Sequence, residues 1–369
     1  MLAALAVVIL AVVGLQSWTV PYYALTPGQA SAVGPLVSVS GLPSRDHHDR
    51  ILLTDVYLSS LTAWQWLILH FQHPVEFVSA NQLLEPGIPS DEIGPQGFLQ
   101  MSDSKEAAAV AALRALGWRP VATPTGAVVT GVIAPSPARH HLHVADRVVA
   151  VDGRPVVSAC GLVAAVHDVR PGSIVRLGVD PARIDAQGRI TYGSERTVSL
   201  RAGTPPAGSL PSGCPGVSGP DHAWLGVALE DGVAFRLPAT VNVDTNYIGG
   251  PSAGLAMTLA LIDQLSRTSI TGGHVVAATG TIDTAGQVGD VGGVAEKTIA
   301  VERAGATVFL VPQVEVATAR SVASPSLRVI GVTSLRQALD ALHRLGGARP
   351  VPLSVPHPLG STGTGTRSS

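Results

Sequence analysis

The sequence predicts a mixed α/β (α+β) protein with an N-terminal transmembrane helix, a β-rich middle domain and an α/β C-terminal domain. Three observations support this fold class. Residues 2–20 are almost wholly apolar, residues 119–203 contain short β-branched runs separated by Gly, Pro and Asp, and residues 222–346 alternate helical and strand patterns. The chain has 369 residues, of which 46% are hydrophobic, so it is long enough for two or three domains.

Charge excludes two classes of partner. Charged residues make up only 14% of the chain and the net charge is −2, without the basic block that a nucleic-acid-binding surface needs. Only two of the 24 basic residues are lysines, Lys105 and Lys297, and neither follows a glycine as the lysine of a phosphate-binding loop does. We therefore expect neither nucleic acid nor ATP as a partner, and we expect no cofactor and no metal.

The first 22 residues form the expected membrane anchor. The apolar run at residues 2–20 would be just long enough as a helix, at about 1.5 Å per residue, to span a hydrocarbon core of about 30 Å. Trp18, Tyr22 and Tyr23 lie where interfacial aromatic residues belong. A cleaved signal peptide is the alternative. The expectation is a single-pass protein of the cell membrane whose remaining domains lie outside the cytoplasm.

Residues 23–118 form a membrane-proximal α/β segment to which the sequence assigns no activity. The residue pattern predicts a strand at residues 51–58 and a helix at residues 59–71, where apolar residues recur at helical spacing. A second helix is predicted at residues 103–116, because an Ala-rich body follows Ser and Asp and ends at Gly117.

The middle domain, residues 119–203, carries a specific motif. The matching residues are Ser136, Pro137, Ala138, Leu142, Asp146, Val148, Val151, Asp152 and Gly153. This segment resembles a PDZ domain of the bacterial protease type, with Ala145 in place of the usual glycine. The resemblance implies a module that binds an extended peptide at an open sheet edge. We expect the groove between a strand at residues 128–133 and a helix at residues 161–169.

The two cysteines are compatible with an oxidising compartment. Cys160 and Cys214 could close one disulfide that ties the middle domain to a Gly/Pro/Ser-rich linker at residues 204–221. Two buried free thiols are the alternative. A Pro, Gly, Ser and Thr-rich tail at residues 347–369 is expected to be disordered.

A candidate nucleophile lies in the C-terminal domain. Residues 249–254 read Gly-Gly-Pro-Ser-Ala-Gly and lead directly into an apolar helical run. Ser252 at such a junction lies beside free backbone N–H groups and the positive end of the helix dipole, which can stabilise an oxyanion. Gly250, Ala253 and Gly254 are the candidate substrate-binding residues, because small residues let a substrate backbone approach.

Two alternatives compete with this interpretation of Ser252. One is an ordinary helix cap. The other is the nucleophile elbow of an α/β-hydrolase, which needs a strand before the serine and a catalytic histidine after it. Residues 247–249 make a poor strand, and the later candidates His274 and His343 do not lie in persuasive catalytic loops.

Lys297 is the candidate general base. It lies in the first turns of a helix predicted at residues 294–303. A lysine base must be neutral near pH 7, so its pKa has to fall by about three units, and burial and a helix N-terminus both lower it. The alternative is a solvated lysine paired with Glu296 or Glu302.

The combined motifs resemble the Lon protease domain. Gly-Pro-Ser-Ala-Gly at residues 250–254 is followed by Thr279-Gly280, by Val-Gly-Gly-Val-Ala-Glu-Lys at residues 291–297 and by a strand that ends in Pro312. With the anchor and the PDZ-like domain, the chain resembles membrane-anchored PDZ–Lon proteases of actinobacterial type. Gly249 departs from the ATP-driven class of the family, which has Asp there.

The resemblance implies a Ser–Lys dyad. Ser252 would be the nucleophile, Lys297 the general base, and Thr279 would orient the lysine amine. The implied activity is an ATP-independent serine endopeptidase that cleaves proteins or peptides through an acyl-enzyme at the extracytoplasmic membrane face. Assembly into a homo-oligomeric ring is also implied. A catalytically inactive PDZ scaffold that only binds peptides is the alternative function.

Overall fold

The computed structural model describes residues 10, 12–48, 50–71, 75–206, 213–215, 217 and 222–354. Their strands are β1 (Thr19–Ala32), β2 (Val37–Ser40), β3 (Ile51–Thr62), β4 (Glu76–Ser79), β5 (Val121–Val132), β6 (Arg147–Val151), β7 (Arg154–Pro155), β8 (Ile174–Asp180), β9 (Ala182–Ile184), β10 (Ile190–Tyr192), β11 (Arg196–Arg201), β12 (Val227–Arg236), β13 (Thr240–Val243), β14 (Val276–Ala278), β15 (Thr281–Ile282), β16 (Val288–Gly289), β17 (Val308–Pro312) and β18 (Arg328–Val332). The helices after β1 are α1 (Ala63–Leu69), α2 (Ala80–Leu83), α3 (Ile93–Ala115), α4 (Ala159–His167), α5 (Gly254–Leu265), α6 (Val294–Arg303), α7 (Val316–Val322) and α8 (Leu335–Arg344). Short 3-10 helices occupy Gly34–Leu36, Ser90–Glu92 and Gln313–Glu315.

The main sheet draws on both ends of the described chain. Its order is β18-β17-β14-β3-β1-β4, so three strands come from residues 19–79 and three from residues 276–332. Strand β3 runs antiparallel to β1 and parallel to β14, and thereby joins the two halves. Residues 23–118 are therefore not the separate segment that we expected, because their strands complete the sheet of the C-terminal domain.

The side chains of this sheet alternate between two cores. Leu53, Ala278 and Leu310 face the core that contains α3 and α5. Leu52 and Phe309, one position away along their strands, face the core that contains α6 and α7. Since successive residues of a strand point to opposite faces, the sheet lies between two helical layers.

The middle unit is a second sheet with the order β11-β8-β6-β5-β12, in which β7 also pairs with β6. Helix α4 packs against β5, β6 and β12. The last strand, β12, lies beyond the expected linker, in the part of the chain that we assigned to the C-terminal domain from residue 222. It pairs with β5 from Val227–Val132 to Arg236–Val121, so the middle unit includes residues 227–236.

This pairing also corrects the expected peptide groove. Strand β5 covers residues 128–132 of the predicted 128–133 strand, but it pairs with β6 on one side and with β12 on the other. The Asp231 carboxylate of β12 also accepts a hydrogen bond from the Ala159 N–H at the start of α4 (2.8 Å). The edge of β5 is thus occupied by the chain itself.

Ala145 adopts the conformation that favours glycine at this position. Its φ is +73°, its side chain is fully buried, and its N–H donates to the Val129 carbonyl oxygen (2.8 Å). The next side chain, Asp146, accepts hydrogen bonds from the N–H groups of His143 and Ala182. The tight turn of the PDZ-like motif is therefore retained without its glycine.

Two helices of residues 23–118 differ from their expected bounds. The predicted helix at residues 59–71 begins later, because Ser59 and Ser60 pair with Ala24 and Tyr23 of β1 and the strand continues to Thr62. There Thr62 caps α1 through a reciprocal bond pair with Gln65. Helix α3 begins at Ile93, ten residues before the expected start at residue 103.

The disulfide is confirmed. Cys160 and Cys214 are joined with an S–S distance of 2.11 Å and tie the start of α4 to the expected linker, of which residues 207–212, 216 and 218–221 lie outside the described residues. The expectation of a disordered tail from residue 347 is wrong for the residues of the tail that the structure describes. Ala348 and Leu353 donate backbone hydrogen bonds to Ser269 and Leu265, while residues 355–369 lie outside the described residues.

Part of the expected anchor, residues 1–9 and 11, lies outside the described residues. Residues 12–17 are helical, whereas residues 19–22 belong to β1 rather than to a helix. Among the described residues, none of the helices combines the length and the apolar composition needed to cross a bilayer.

We expect Leu53→Ala to lower the free energy of unfolding of the main-sheet unit by about 3 kcal/mol, because it leaves a cavity in the core shared with α5. Leu53 is 0% exposed. Leu58→Ala on the same strand is the matched control, since Leu58 is 38% exposed and should cost less than about 1 kcal/mol. Urea unfolding measures both. If both variants lowered the free energy of unfolding equally little, β3 and α5 would not share a core.

Candidate active site

Ser252 lies at the end of a short loop that leads into a buried helix. We call residues 249–252 the nucleophile loop. Helix α5 follows from Gly254, and nearly all of its residues are buried. Ser252 itself is half-buried, so its hydroxyl lies at the boundary between the core and the surface. This is the junction that the sequence predicted for the candidate nucleophile.

The three candidate substrate-binding residues differ in their surroundings. Gly250 has a φ of +85°, and a Cβ placed there would meet no atom within 4 Å, so this position faces open space. Ala253 and Gly254 are buried. A Cβ on Gly254 would come within 2.8 Å of the Ile282 side chain, so close packing of α5 requires glycine there. Only Gly250 faces the space that a substrate could enter.

Helix α3 holds the nucleophile loop from one side. The Gly250 N–H donates to the Gly97 carbonyl oxygen (2.7 Å), and the Ser104 hydroxyl donates to the Pro251 carbonyl oxygen (3.1 Å). Sequence reasoning missed both residues of α3, because no motif or spacing connects them with the loop. Only the small size of Gly97 and Ser104 could have suggested a close contact.

Thr279 holds the loop from the other side. It is 0% exposed, follows β14, and donates its hydroxyl to the Ser252 carbonyl oxygen (3.3 Å). The next N–H, that of Gly280, donates to the same oxygen (2.9 Å), while the Gly280 carbonyl accepts from Leu255 (3.1 Å). The structure therefore brings Ser252 and Thr279 into direct contact.

Lys297 is buried near the start of α6. The helix begins after Gly293, whose φ is +67°, and the Lys297 N–H donates to the Gly293 carbonyl oxygen (2.9 Å). A Cβ on Gly293 would come within 2.9 Å of the Val56 side chain on β3. Glycine thus lets α6 pack closely against the N-terminal strands. Lys297 is only 2% exposed.

Burial lowers the pKa of the Lys297 amine to about 8, because the charged form loses its hydration. Four carboxylates oppose this effect and hold the pKa up: Asp55, Glu315, Glu76 and Glu296, in decreasing order. The Asp55 carboxylate on β3 is fixed in place because it accepts a hydrogen bond from the Gln29 N–H (2.7 Å). Gln29 lies where the pairing of β1 with β3 is irregular. Of these carboxylates, only that of Glu296 was considered from the sequence as a partner of Lys297.

The glutamates of α6 have other partners. The Glu302 carboxylate accepts from the Ser324 N–H (2.6 Å), and Glu296 accepts from the Glu76 N–H (3.1 Å). Glu296 is buried, which raises its pKa, and its second oxygen, Oε2, has no hydrogen-bond partner among the described residues. Lys297 is therefore not the solvated helix lysine of the alternative interpretation.

The elbow of an α/β-hydrolase does not fit. Residues 244–253 form turns and irregular backbone instead of a strand that enters the serine. His274 and His343 contact the backbone carbonyl oxygens of Leu345 (3.2 Å) and Gly347 (2.8 Å). As for metals, the described part of the chain holds no group of three His, Cys, Asp or Glu side chains that could bind an ion.

Comparison with protein families gives two matches. Residues 246–342 match the C-terminal proteolytic domain of Lon protease (S16), and residues 114–181 match the PDZ domain. The first range contains Ser252, Thr279 and Lys297. The matched proteolytic domain supports a serine peptidase, and the two domains together suggest that the protein binds peptides or proteins.

Curated relatives support the first match. The chain is 40% identical over 120 residues to the Lon protease of Frankia alni and 47% identical over 64 residues to that of Clostridioides difficile. These regions cover 31% and 17% of this chain. They span only 13% and 8% of the two relatives, so most of each relative has no counterpart in the match.

Solved structures include the PDZ domains of SdrC-like proteins from Listeria monocytogenes and Listeria innocua. Both are 17% identical to this chain, with TM-scores of 0.21 and 0.20. They cover 29% and 28% of this chain and 90% and 92% of their own. The two family matches, not these structures, place a Lon-like proteolytic region and a PDZ region in the chain.

Proposed function

We propose that the protein is an ATP-independent serine endopeptidase that uses Ser252 as nucleophile and Lys297 as general base. The observation that carries this proposal is the buried Lys297, whose pKa is lowered to about 8, within a region that matches a proteolytic domain. With a pKa of about 8, a fraction of the Lys297 side chains is uncharged near neutral pH. The free amine can then accept the serine proton.

The proposed first half-reaction forms an acyl-enzyme. The neutral Lys297 amine takes the proton from the Ser252 hydroxyl as the serine oxygen attacks the substrate carbonyl carbon. The carbonyl oxygen becomes an oxyanion, and the backbone N–H groups of Ser252 and Ala253 are the proposed donors that stabilise it. The Lys297 ammonium then gives its proton to the amine that leaves as the peptide C–N bond breaks.

The second half-reaction returns the enzyme to its starting state. Water attacks the acyl ester, Lys297 takes a proton from that water, and the ammonium returns it to the Ser252 oxygen as the ester bond breaks. The Thr279 hydroxyl donates to the Ser252 carbonyl, and its lone pairs can accept a hydrogen bond from the lysine amine. Thr279 would thus set the position of both members of the dyad.

The absence of a glycine before either lysine supports ATP independence, since a phosphate-binding loop needs one. The middle unit, with strands β5 to β12, is called the PDZ-like unit from here on and is the proposed site of protein or peptide binding. Because β12 occupies the edge of β5, we propose that a peptide adds to the outer edge of the sheet or displaces β12.

Assembly into a homo-oligomeric ring stays a prediction that sedimentation can check.

We propose that the protein is held at the extracytoplasmic face of the cell membrane by its N-terminal segment. Residues 1–44 contain no charged residue, and neither do residues 56–75 apart from histidines. Trp18, Tyr57 and Phe71 are exposed, Phe71 to 77%, as interfacial aromatic residues would be. The disulfide between Cys160 and Cys214 supports an oxidising compartment.

Lys297→Arg and Ser252→Ala should each lower the cleavage of fluorescent casein, without nucleotide, by about a thousandfold or more. The guanidinium stays protonated and cannot act as a base, and alanine has no nucleophile. Lys105→Arg is the matched control at the other lysine and should keep wild-type activity. Full activity of either dyad variant would refute the proposed roles, and casein binding without any hydrolysis would favour the inactive scaffold.

Cleavage should increase with pH. The free amine is the active form, so kcat/KM should rise with a midpoint near pH 8 and reach at pH 7 about a tenth of its plateau. Asp103 has a pKa raised to about 7 by burial and by the neighbouring Glu230. Asp103→Asn is therefore the control, and it should leave the midpoint unchanged. A rate that falls between pH 7 and 9 would exclude Lys297 as the base.

Liposome flotation tests the membrane proposal. The full chain should float with vesicles, whereas a chain lacking residues 2–17 should stay at the bottom of the gradient, because it has lost the apolar N-terminal segment. Casein cleavage by the shortened chain shows that it is folded. If both chains float equally, the N-terminal segment is not what holds the protein to lipid.

A further inference from the structure

We propose that helix α3 positions the nucleophile loop, and that the PDZ-like unit controls this position by binding to another face of the same helix. Gly97 and Ser104 would be positioning residues for Ser252. This inference rests on the proposed function of Ser252. It assigns a role in the reaction to α3, a helix outside the region that matches the proteolytic domain.

The first face of α3 contacts the nucleophile loop. Gly97 and Ser104 are seven residues apart, two helical turns, so they lie on one face. They bind the loop at Gly250 N–H and at the Pro251 carbonyl oxygen. The approach is close, because a Cβ on Gly249 would lie 3.2 Å from the Gly97 carbonyl carbon. Both bonds end within two residues of Ser252.

A second face of α3 contacts the PDZ-like unit. The Gln96 side chain donates to the Thr130 carbonyl oxygen of β5 (2.8 Å), and the Glu106 carboxylate accepts from the Phe235 N–H of β12 (3.1 Å). Between them Leu99, only 4% exposed, packs with Val128 and Val144. Their spacing of three and seven residues places these side chains on one face of the helix, separate from that of Gly97.

An ion pair continues this interface at the start of α3. Arg139 of the PDZ-like unit binds Glu92 at 3.0 Å and Asp91 at 3.2 Å. Its partners lie in the 3-10 helix that leads into α3. The PDZ-like unit thus contacts α3 from Gln96 in its first turn to Glu106. Gly97 and Ser104, which bind the nucleophile loop, lie between these two residues. A shift of the unit on α3 therefore acts on the loop.

The coupling depends on the stiffness of a hydrogen-bonded helix. If the PDZ-like unit moves and α3 follows, the Gly97 carbonyl and the Ser104 hydroxyl move with it, and Ser252 changes its position relative to its base. A displacement of about 1 Å is enough to lower a rate by up to a hundredfold. Peptide binding to the PDZ-like unit could thereby change the activity toward a substrate that binds only at Ser252.

The first test measures the rate at which a fluorophosphonate labels Ser252 and the cleavage of a short peptide. Ser104→Ala and Leu99→Ala should each lower the labelling rate and kcat by about tenfold, with KM nearly unchanged, because the loop is displaced and substrate binding is not. Leu99→Met keeps the side-chain volume and should restore the wild-type rate. The variant that combines Leu99→Ala with Ser104→Ala should be labelled no more slowly than the slower of the two single variants.

The second test does not depend on activity. Hydrogen exchange at the Gly250 amide reports its bond to Gly97, and Leu99→Ala should make it exchange about tenfold faster while Leu99→Met leaves it unchanged. Unchanged exchange and labelling in Leu99→Ala, or effects of Leu99→Ala and Ser104→Ala that multiply, would overturn the coupling. Labelling that persists in Ser252→Ala would instead refute the proposed nucleophile, while the exchange result would still decide whether α3 holds the loop.

Discussion

The removal of a single amine from water is the constraint on which the rest of this structure depends. Lys297 is buried because α6 packs closely against β1 and β3, and that approach requires a glycine at position 293, against Val56 and Leu25. Burial lowers the pKa of the amine, and the surrounding carboxylates stop its fall at about 8. Without the carboxylates the amine would be a weaker base, and without the N-terminal strands it would be hydrated and charged.

The nucleophile loop shows the same dependence on distant parts of the chain. A glycine-rich loop is flexible on its own, but here its backbone is bonded on two sides. Helix α3 binds Gly250 and Pro251, and the end of β14 binds Ser252 through Thr279 and Gly280. Reactive groups need such support from rigid elements to keep a productive geometry. The segment before the PDZ-like unit therefore contributes both to the loop and to the environment of Lys297.

Local patterns made part of this site predictable. The expected helix at residues 294–303 has the observed bounds, and the junction at Ser252 is where the Gly-Pro-Ser-Ala-Gly pattern placed it, because glycine and apolar spacing act within a few residues. The pairing of Ile51 with Val276 could not be predicted, since the two residues are more than 200 positions apart and parallel pairing leaves no local signal. For the same reason Asp55, Glu76 and Ser104 were not identified as parts of the site.

The pairing of Val121 with Arg236 has a consequence for how such a protein can be rebuilt. The chain enters and leaves the middle unit through neighbouring residues of two paired strands, so the unit is an insertion with adjacent ends. Insertions of this kind leave the host core intact when they are exchanged. The middle unit and the main-sheet unit can therefore diverge at different rates, and under the coupling proposed above an exchanged unit needs only to present a comparable face to α3.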